Sequence, residues 1–90
     1  MINEDEMIKR NIELSTEFSR YLFENPDIEK KVPLDADIIF LPEFDRELKD
    51  YNLKLGKHLE TKSEKVFYIT INNLRPKKLS RINKIRLSTV

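Results

Sequence analysis

The chain has 90 residues, of which 39% are hydrophobic and 37% are charged, so it forms one small domain with enough apolar side chains for a core. It has no cysteine and one glycine, which excludes a disulfide scaffold, thiol catalysis, cysteine-ligated metals and glycine-rich phosphate loops. The formal net charge of +1 hides a division, because residues 1–50 hold 14 acidic and 7 basic side chains, whereas residues 51–90 hold 2 and 10.

Two helices are predicted at the start of the chain. Apolar residues recur at helical spacing over residues 4–24, and a serine shares their stripe: Ile8, Ile12, Ser15, Phe18 and Leu22. Asn3 is the expected N-cap of this helix. Pro26 suits the first position of a second, short helix, which we expect to end before Pro33.

A βαβ unit is predicted next. Its strand, helix and strand cover residues 36–41, 44–62 and 66–71. Asp45 is the expected N-cap of the helix, and we attribute the glycine inside it, Gly56, to close packing. A right-handed crossover makes the two strands parallel. We therefore predict an α/β fold of order ααβαβ over residues 1–76, with two long helices and a short helix packed on a small parallel sheet.

The last segment, residues 77–90, is predicted as a basic C-terminal extension. The spacing of Leu79, Ile82 and Ile85 favours an amphipathic helix, whereas apolar residues that alternate after residue 84 favour a strand. A sheet of two strands is not stable alone, and its free edges invite pairing. We therefore expect either a third strand from residues 85–90 or a homodimer.

Several stretches of the chain resemble a family of small uncharacterised archaeal and bacterial proteins, a domain of unknown function. The matching stretches are residues 11–18 (NIELSTEF), 20–22 (RYL), 33 (P), 39–42 (IFLP), 52–55 (NLKL) and 74–76 (LRP). The resemblance covers about residues 8–78 and implies the same ααβαβ fold. It implies no reaction, and the segment after Lys78 looks like a departure from shorter members.

Polar residues follow both predicted strands, at the sheet edge where open α/β sheets bind ligands. They are Glu43, Asp45, Asn72, Asn73 and Arg75. One hypothesis is a site for a cation or a polar small molecule. The interpretation we favour is structural: Asp45 caps a helix, Asn72 and Asn73 form a turn, and Arg75 pairs with Glu43.

No catalytic residue, metal-ligand set or cofactor motif is predicted. His58 is the only histidine, and no residue near it in sequence is placed to orient it, so we interpret it as a surface side chain. Ser15 lies on the apolar stripe of the first helix and has no base near it in sequence. We therefore expect a protein that is not an enzyme and needs no cofactor.

Two functions agree with these features. The one we favour is a homodimeric interaction module, because opposite charges in the two halves attract each other. The alternative is a nucleic-acid-binding accessory protein, which would use the bases near the C-terminus. These bases are Arg75, Lys77, Lys78, Arg81, Lys84 and Arg86. The acidic start and apolar runs of only four residues predict a cytoplasmic protein without a membrane segment.

Overall fold

The computed structural model, which describes residues 3–62, 64–76 and 81–89, contains three helices and two strands. They are α1 (Glu4–Glu24), α2 (Pro26–Glu29), β1 (Asp37–Pro42), α3 (Arg46–Thr61) and β2 (Val66–Ile71). The strands are parallel, with Asp37 beside Val66 at one end and Pro42 beside Ile71 at the other. The predicted ααβαβ fold is confirmed, although α2 ends three residues earlier than expected.

Side-chain caps fix where the two long helices begin. The Oδ1 atom of Asn3 accepts a hydrogen bond from the backbone N–H of Glu6 at 3.2 Å. Asp45 does the same for the N–H of Leu48, also at 3.2 Å. Each cap satisfies one of the donors that a helix start leaves unpaired, and both were predicted from the sequence.

The core is small and is formed by side chains of α1, β1 and α3. Met7 and Leu14 of α1 pack with Phe40 of β1 and Leu48 of α3. The ring of Phe18 meets that of Phe40 edge to face, with 5.5 Å between the ring centroids. Burial of each such side chain contributes about 1.5–3 kcal/mol, so a few contacts carry much of the fold.

The face that α1 buries is rotated from the predicted one. The expected apolar stripe included Ile8 and Ile12, but these side chains are 52% and 61% exposed. Met7 and Leu14 are buried in their place, at 1% and 4% exposure. The helix therefore carries a second apolar surface beside the one that reaches the core.

The C-terminal segment forms no regular structure where it is described. Residues 72–76 and 81–89 are neither helix nor strand, so the third strand expected from residues 85–90 is absent over residues 85–89. An amphipathic helix is equally absent over residues 81–89. Residues 77–80 and 90 lie outside the described residues. The Cα radius of gyration is 17.6 Å, against about 12 Å for a compact chain of this length.

No helix within the described ranges is long and apolar enough to cross a lipid bilayer.

Candidate interaction surface at the sheet edges

Two of the polar residues after the strands make contacts within the chain, and the others are exposed. Both carboxylate oxygens of Glu43 accept hydrogen bonds from Lys49 Nζ at 3.0 Å, so the expected pair with Arg75 is not formed. Asp45 caps α3 as predicted. Asn72 and Arg75 are exposed, and Asn72 and Asn73 form no turn.

Arg10 of α1 explains why Asp45 is not free to bind a ligand. Its guanidinium donates to Glu6 at 3.3 Å, to Asp45 at 3.3 Å and to Glu47 at 3.0 Å. The hydrogen bond to Glu6 is the first reason that the pKa of Arg10 is raised, and Asp45 and Glu47 raise it further. These contacts join α1 to the start of α3. Nothing in the spacing of the sequence singled out Arg10.

A buried asparagine holds α1, α3 and β1 together. Asn52 is 2% exposed, and its amide exchanges two hydrogen bonds with the amide of Asn11, at 2.8 and 2.9 Å. Asn52 Nδ2 also donates to the carbonyl oxygen of Phe40 at 2.9 Å. The signal in the sequence was a polar residue one turn after Leu48, on the side of α3 that faces the core.

The contact with Phe40 closes part of the free edge of β1. The N–H groups of Asp37 and Glu43 donate to carbonyls that flank or end β2, at 2.8 and 2.9 Å. Since neighbouring residues in a parallel ladder point their backbone groups to opposite sides, Ile38, Phe40 and Pro42 face away from β2. Asn52 satisfies the outward carbonyl of Phe40, and Pro42 has no N–H to offer. This edge therefore offers fewer backbone groups for pairing with another strand, because only Ile38 and the N–H of Phe40 keep theirs.

Among the described residues, none protects the free edge of β2 in this way. By the same alternation, Val66, Tyr68 and Thr70 direct their N–H and C=O groups outward. The strand reads VFYITI, without charge, proline or glycine. Proteins normally blunt a strand edge that must stay single with lysine, proline or a cover. The six residues of β2 include neither lysine nor proline.

Helix α3 covers one face of β2 through a close contact. A Cβ atom on Gly56 would lie 2.6 Å from the hydroxyl oxygen of Tyr68 and 2.7 and 3.0 Å from two of its ring carbons, so Tyr68 keeps this position only beside a glycine. The predicted close packing at Gly56 is thus confirmed. The Tyr68 hydroxyl donates to Glu60 Oε2 at 2.8 Å. Desolvation and this hydrogen bond raise the pKa of Tyr68 above its ordinary value.

An open apolar groove of about 300 Å³ lies between α1 and α3, along the free edge of β1. Its walls include Ile8 and Ile12 of α1 and Leu55 of α3, and Ile38 and Ile39 form part of its floor. The first three side chains are 52%, 61% and 41% exposed. The groove therefore leaves a substantial apolar surface in contact with water.

Comparison with known proteins places the chain in a family. Residues 6–85 match the sequence profile of a family of unknown function, DUF5647. The chain belongs to this family. The match continues past residue 78, so most of the basic extension lies within the DUF5647 range. No curated protein and no solved structure matches the chain. The DUF5647 match assigns no activity.

The described basic residues near the C-terminus of this DUF5647 chain do not form a patch on a helix or a strand. Arg75, Arg81, Lys84 and Arg86 are exposed on segments without helix or strand, and no aromatic side chain accompanies them in residues 72–76 or 81–89. Lys77 and Lys78 lie outside the described residues. Nucleic-acid binding through these bases stays a prediction.

The other candidates from the sequence give no chemical site. His58 is exposed near the end of α3, and Ser15 is exposed at the groove. Among the residues that the structure describes, no group of three or more His, Cys, Asp or Glu side chains could hold a metal ion.

Proposed function

We propose that the protein is a non-enzymatic interaction module, which forms a homodimer by antiparallel pairing of its β2 edges. The contrast between the two strand edges supports this proposal. On the edge of β1, Asn52 occupies the Phe40 carbonyl and Pro42 has no N–H, whereas no hydrogen bond within the described residues occupies the outward backbone groups of β2. A strand edge left open in this way is a template for another strand.

A register centred on Tyr68 pairs all outward residues of β2 with one another. Val66 lies opposite the partner's Thr70, and the two Tyr68 residues exchange backbone hydrogen bonds across a two-fold axis. On the other face of the sheet, Phe67 lies opposite the partner's Ile69. Aromatic side chains opposite β-branched ones are favourable cross-strand pairs.

The charges beside β2 allow this register. Lys65 comes to lie opposite the partner's Ile71, and Glu64 lies opposite the partner's Asn72, so no two like charges face each other. The product is a sheet of four strands. Such a sheet lies in the usual size range, whereas two isolated strands are marginal in water.

The proposal is tested on the full chain by light scattering and sedimentation at micromolar concentration. The wild-type protein should be a dimer, and Thr70→Pro should be a monomer because it removes an outward N–H. The matched control, Thr70→Val, keeps that N–H and should remain dimeric. Far-UV circular dichroism should show unchanged secondary structure in both variants.

If Thr70→Pro does not fold, Thr70→Lys serves as the second variant, since a charge on the edge disfavours pairing. A wild-type protein that is monomeric at both low and high salt would overturn the proposal. A dimer that persists in the folded proline and lysine variants would overturn the β2 interface.

A further inference from the structure

We infer that in this homodimer the C-terminal segment of each copy, residues 81–89, docks in the groove between α1 and α3 of the other copy. The inference rests on the proposed β2 pairing, and it assigns the groove to one occupant. We call residues 81–89 the C-terminal arm.

The area of the strand interface shows that pairing alone is too small. Six paired residues form a strip about 20 Å long and about 10 Å high, or roughly 200 Å² of contact section. A stable interface buries about 800 Å² on each partner. A second contact in the dimer would supply the missing area, and the arm and the groove both expose apolar side chains.

In the antiparallel register, the chain leaves β2 at the end of the sheet that lies close to the partner's groove. Strand β2 ends at Ile71, which in this register lies beside the partner's Lys65, at the amino end of the partner's sheet. That end of β1 contains Ile38, part of the groove floor. Two strand spacings, about 10 Å, separate the end of β2 from the groove. Residues 72–84 can span up to about 40 Å, so the path is short for the chain available.

Two carboxylates lie at the amino end of the partner's sheet, which the C-terminal arm would pass on its way to the groove. Asp37 lies beside Glu64 at the amino end of the sheet and raises the pKa of the Glu64 carboxyl. In the dimer register, Glu64 lies opposite the partner's Asn72, so the partner's Arg75 follows three residues later. Arg75 forms no ion pair within the part of its own chain that is described. In its own copy these carboxylates stand at the far end of the strand, about 20 Å away.

The arm and the groove are complementary in charge and polarity. The arm has bases at residues 81, 84 and 86 and no acid, whereas α1 has six acidic and three basic side chains. Glu4 and Asp5 lie one helical turn before Ile8, on the side of α1 that forms the groove wall. Ile85 and Leu87 of the arm are 66% and 85% exposed, so docking would bury apolar surface on both sides.

The test uses single cysteines, because the natural chain has none. Ile12→Cys is placed in the groove of one full-length variant, and Leu87→Cys in the arm of another. The two variants are mixed under mild oxidation, and we expect a disulfide that joins the two different chains. The matched control is Glu13→Cys, which is exposed on α1 outside the groove and should give much less of the mixed disulfide.

A second measurement follows the strength of the dimer. Leu87→Asp should raise the dissociation constant of the dimer at least about tenfold, because docking buries the leucine side chain and the variant replaces it by a charge. Ser88→Asp introduces the same charge on the opposite side of an extended segment, and it should have the smaller effect.

The outcomes separate this inference from the proposed function. A monomeric wild-type protein would overturn both. A dimer that Thr70→Pro abolishes, but that gives no mixed disulfide and no effect of Leu87→Asp, would overturn the arm exchange and leave the β2 interface standing. An intramolecular disulfide in the dilute double variant Ile12→Cys/Leu87→Cys, with no mixed disulfide, would place the arm on its own chain and overturn the exchange.

Discussion

Replacing Asn52 by alanine tests whether the buried amide holds α1 on the rest of the domain. The substitution removes both hydrogen bonds to Asn11 and the one to the Phe40 carbonyl. Asn11 is partly exposed, so water can replace its lost partner. The carbonyl of Phe40 lies in a buried residue and is left without its partner.

The expected loss follows from these contacts. Three hydrogen bonds contribute about 1 kcal/mol each, and an orphaned buried carbonyl keeps the full cost of its desolvation. Alanine returns up to about 0.7 kcal/mol through its better helix propensity. The free energy of unfolding should therefore fall by about 2–3 kcal/mol, out of roughly 5–13 kcal/mol for a chain of this length. The melting temperature should fall by roughly 10–20 °C.

Urea unfolding followed by circular dichroism measures this loss, at one protein concentration because a dimer's stability depends on it. Asn11→Ala is the matched control, since it leaves the bond from Asn52 to Phe40 in place and should lose less. The double variant should be little worse than Asn52→Ala, because the two amides share their bonds. A loss below about 0.5 kcal/mol for Asn52→Ala would refute the reasoning.

Three further predictions concern Tyr68 and the basic segment. Gly56→Ala should displace the Tyr68 ring and break its hydrogen bond to Glu60. The pKa of Tyr68 should then move back toward 10.0, which an absorbance titration measures. The melting temperature should change little, because alanine favours the helix. Because folding raises the pKa of Tyr68, its contribution to stability is present below pH 10.0 and is lost as the pH rises through the pKa of the folded state. As the pH is raised through this range, the urea midpoint of Tyr68→Phe should therefore fall less than that of the wild-type protein. If the basic segment binds nucleic acid, affinity should fall steeply with salt and should weaken in a Lys84→Glu/Arg86→Glu variant; equal binding by that variant would reject the segment as the site.

The order of elements could be predicted because local signals in the chain agree. Asn3 and Asp45 are good N-caps, Pro26 starts a helix, and the apolar runs of β1 and β2 have no helical period. Each of these signals acts within a few residues, so neighbouring elements are not needed to interpret them. Element type and chain order were therefore available from the sequence.

The contacts between elements were not available in the same way. Apolar residues of α1 lie on two adjacent stripes, and only packing against Phe40 and Leu48 decides that Met7 is buried and Ile8 is exposed. The position of Asn52 one turn after Leu48 places it on the core side of α3, but only the packing of α1 and β1 identifies its partners. The alternation after residue 84 fits a strand, but residues 85–89 form none in the described part of the chain.

If the protein forms the proposed dimer, the unequal protection of the two strand edges would also limit how far it can assemble. A copy with one usable edge can join only one other copy through its sheet, so growth stops at a closed pair. If both edges were usable, each addition would expose a fresh edge, and copies would add without end into a fibre. In the proposed dimer, one amide hydrogen bond to the Phe40 carbonyl and one missing N–H at Pro42 would thus help to separate a finite complex from an open polymer.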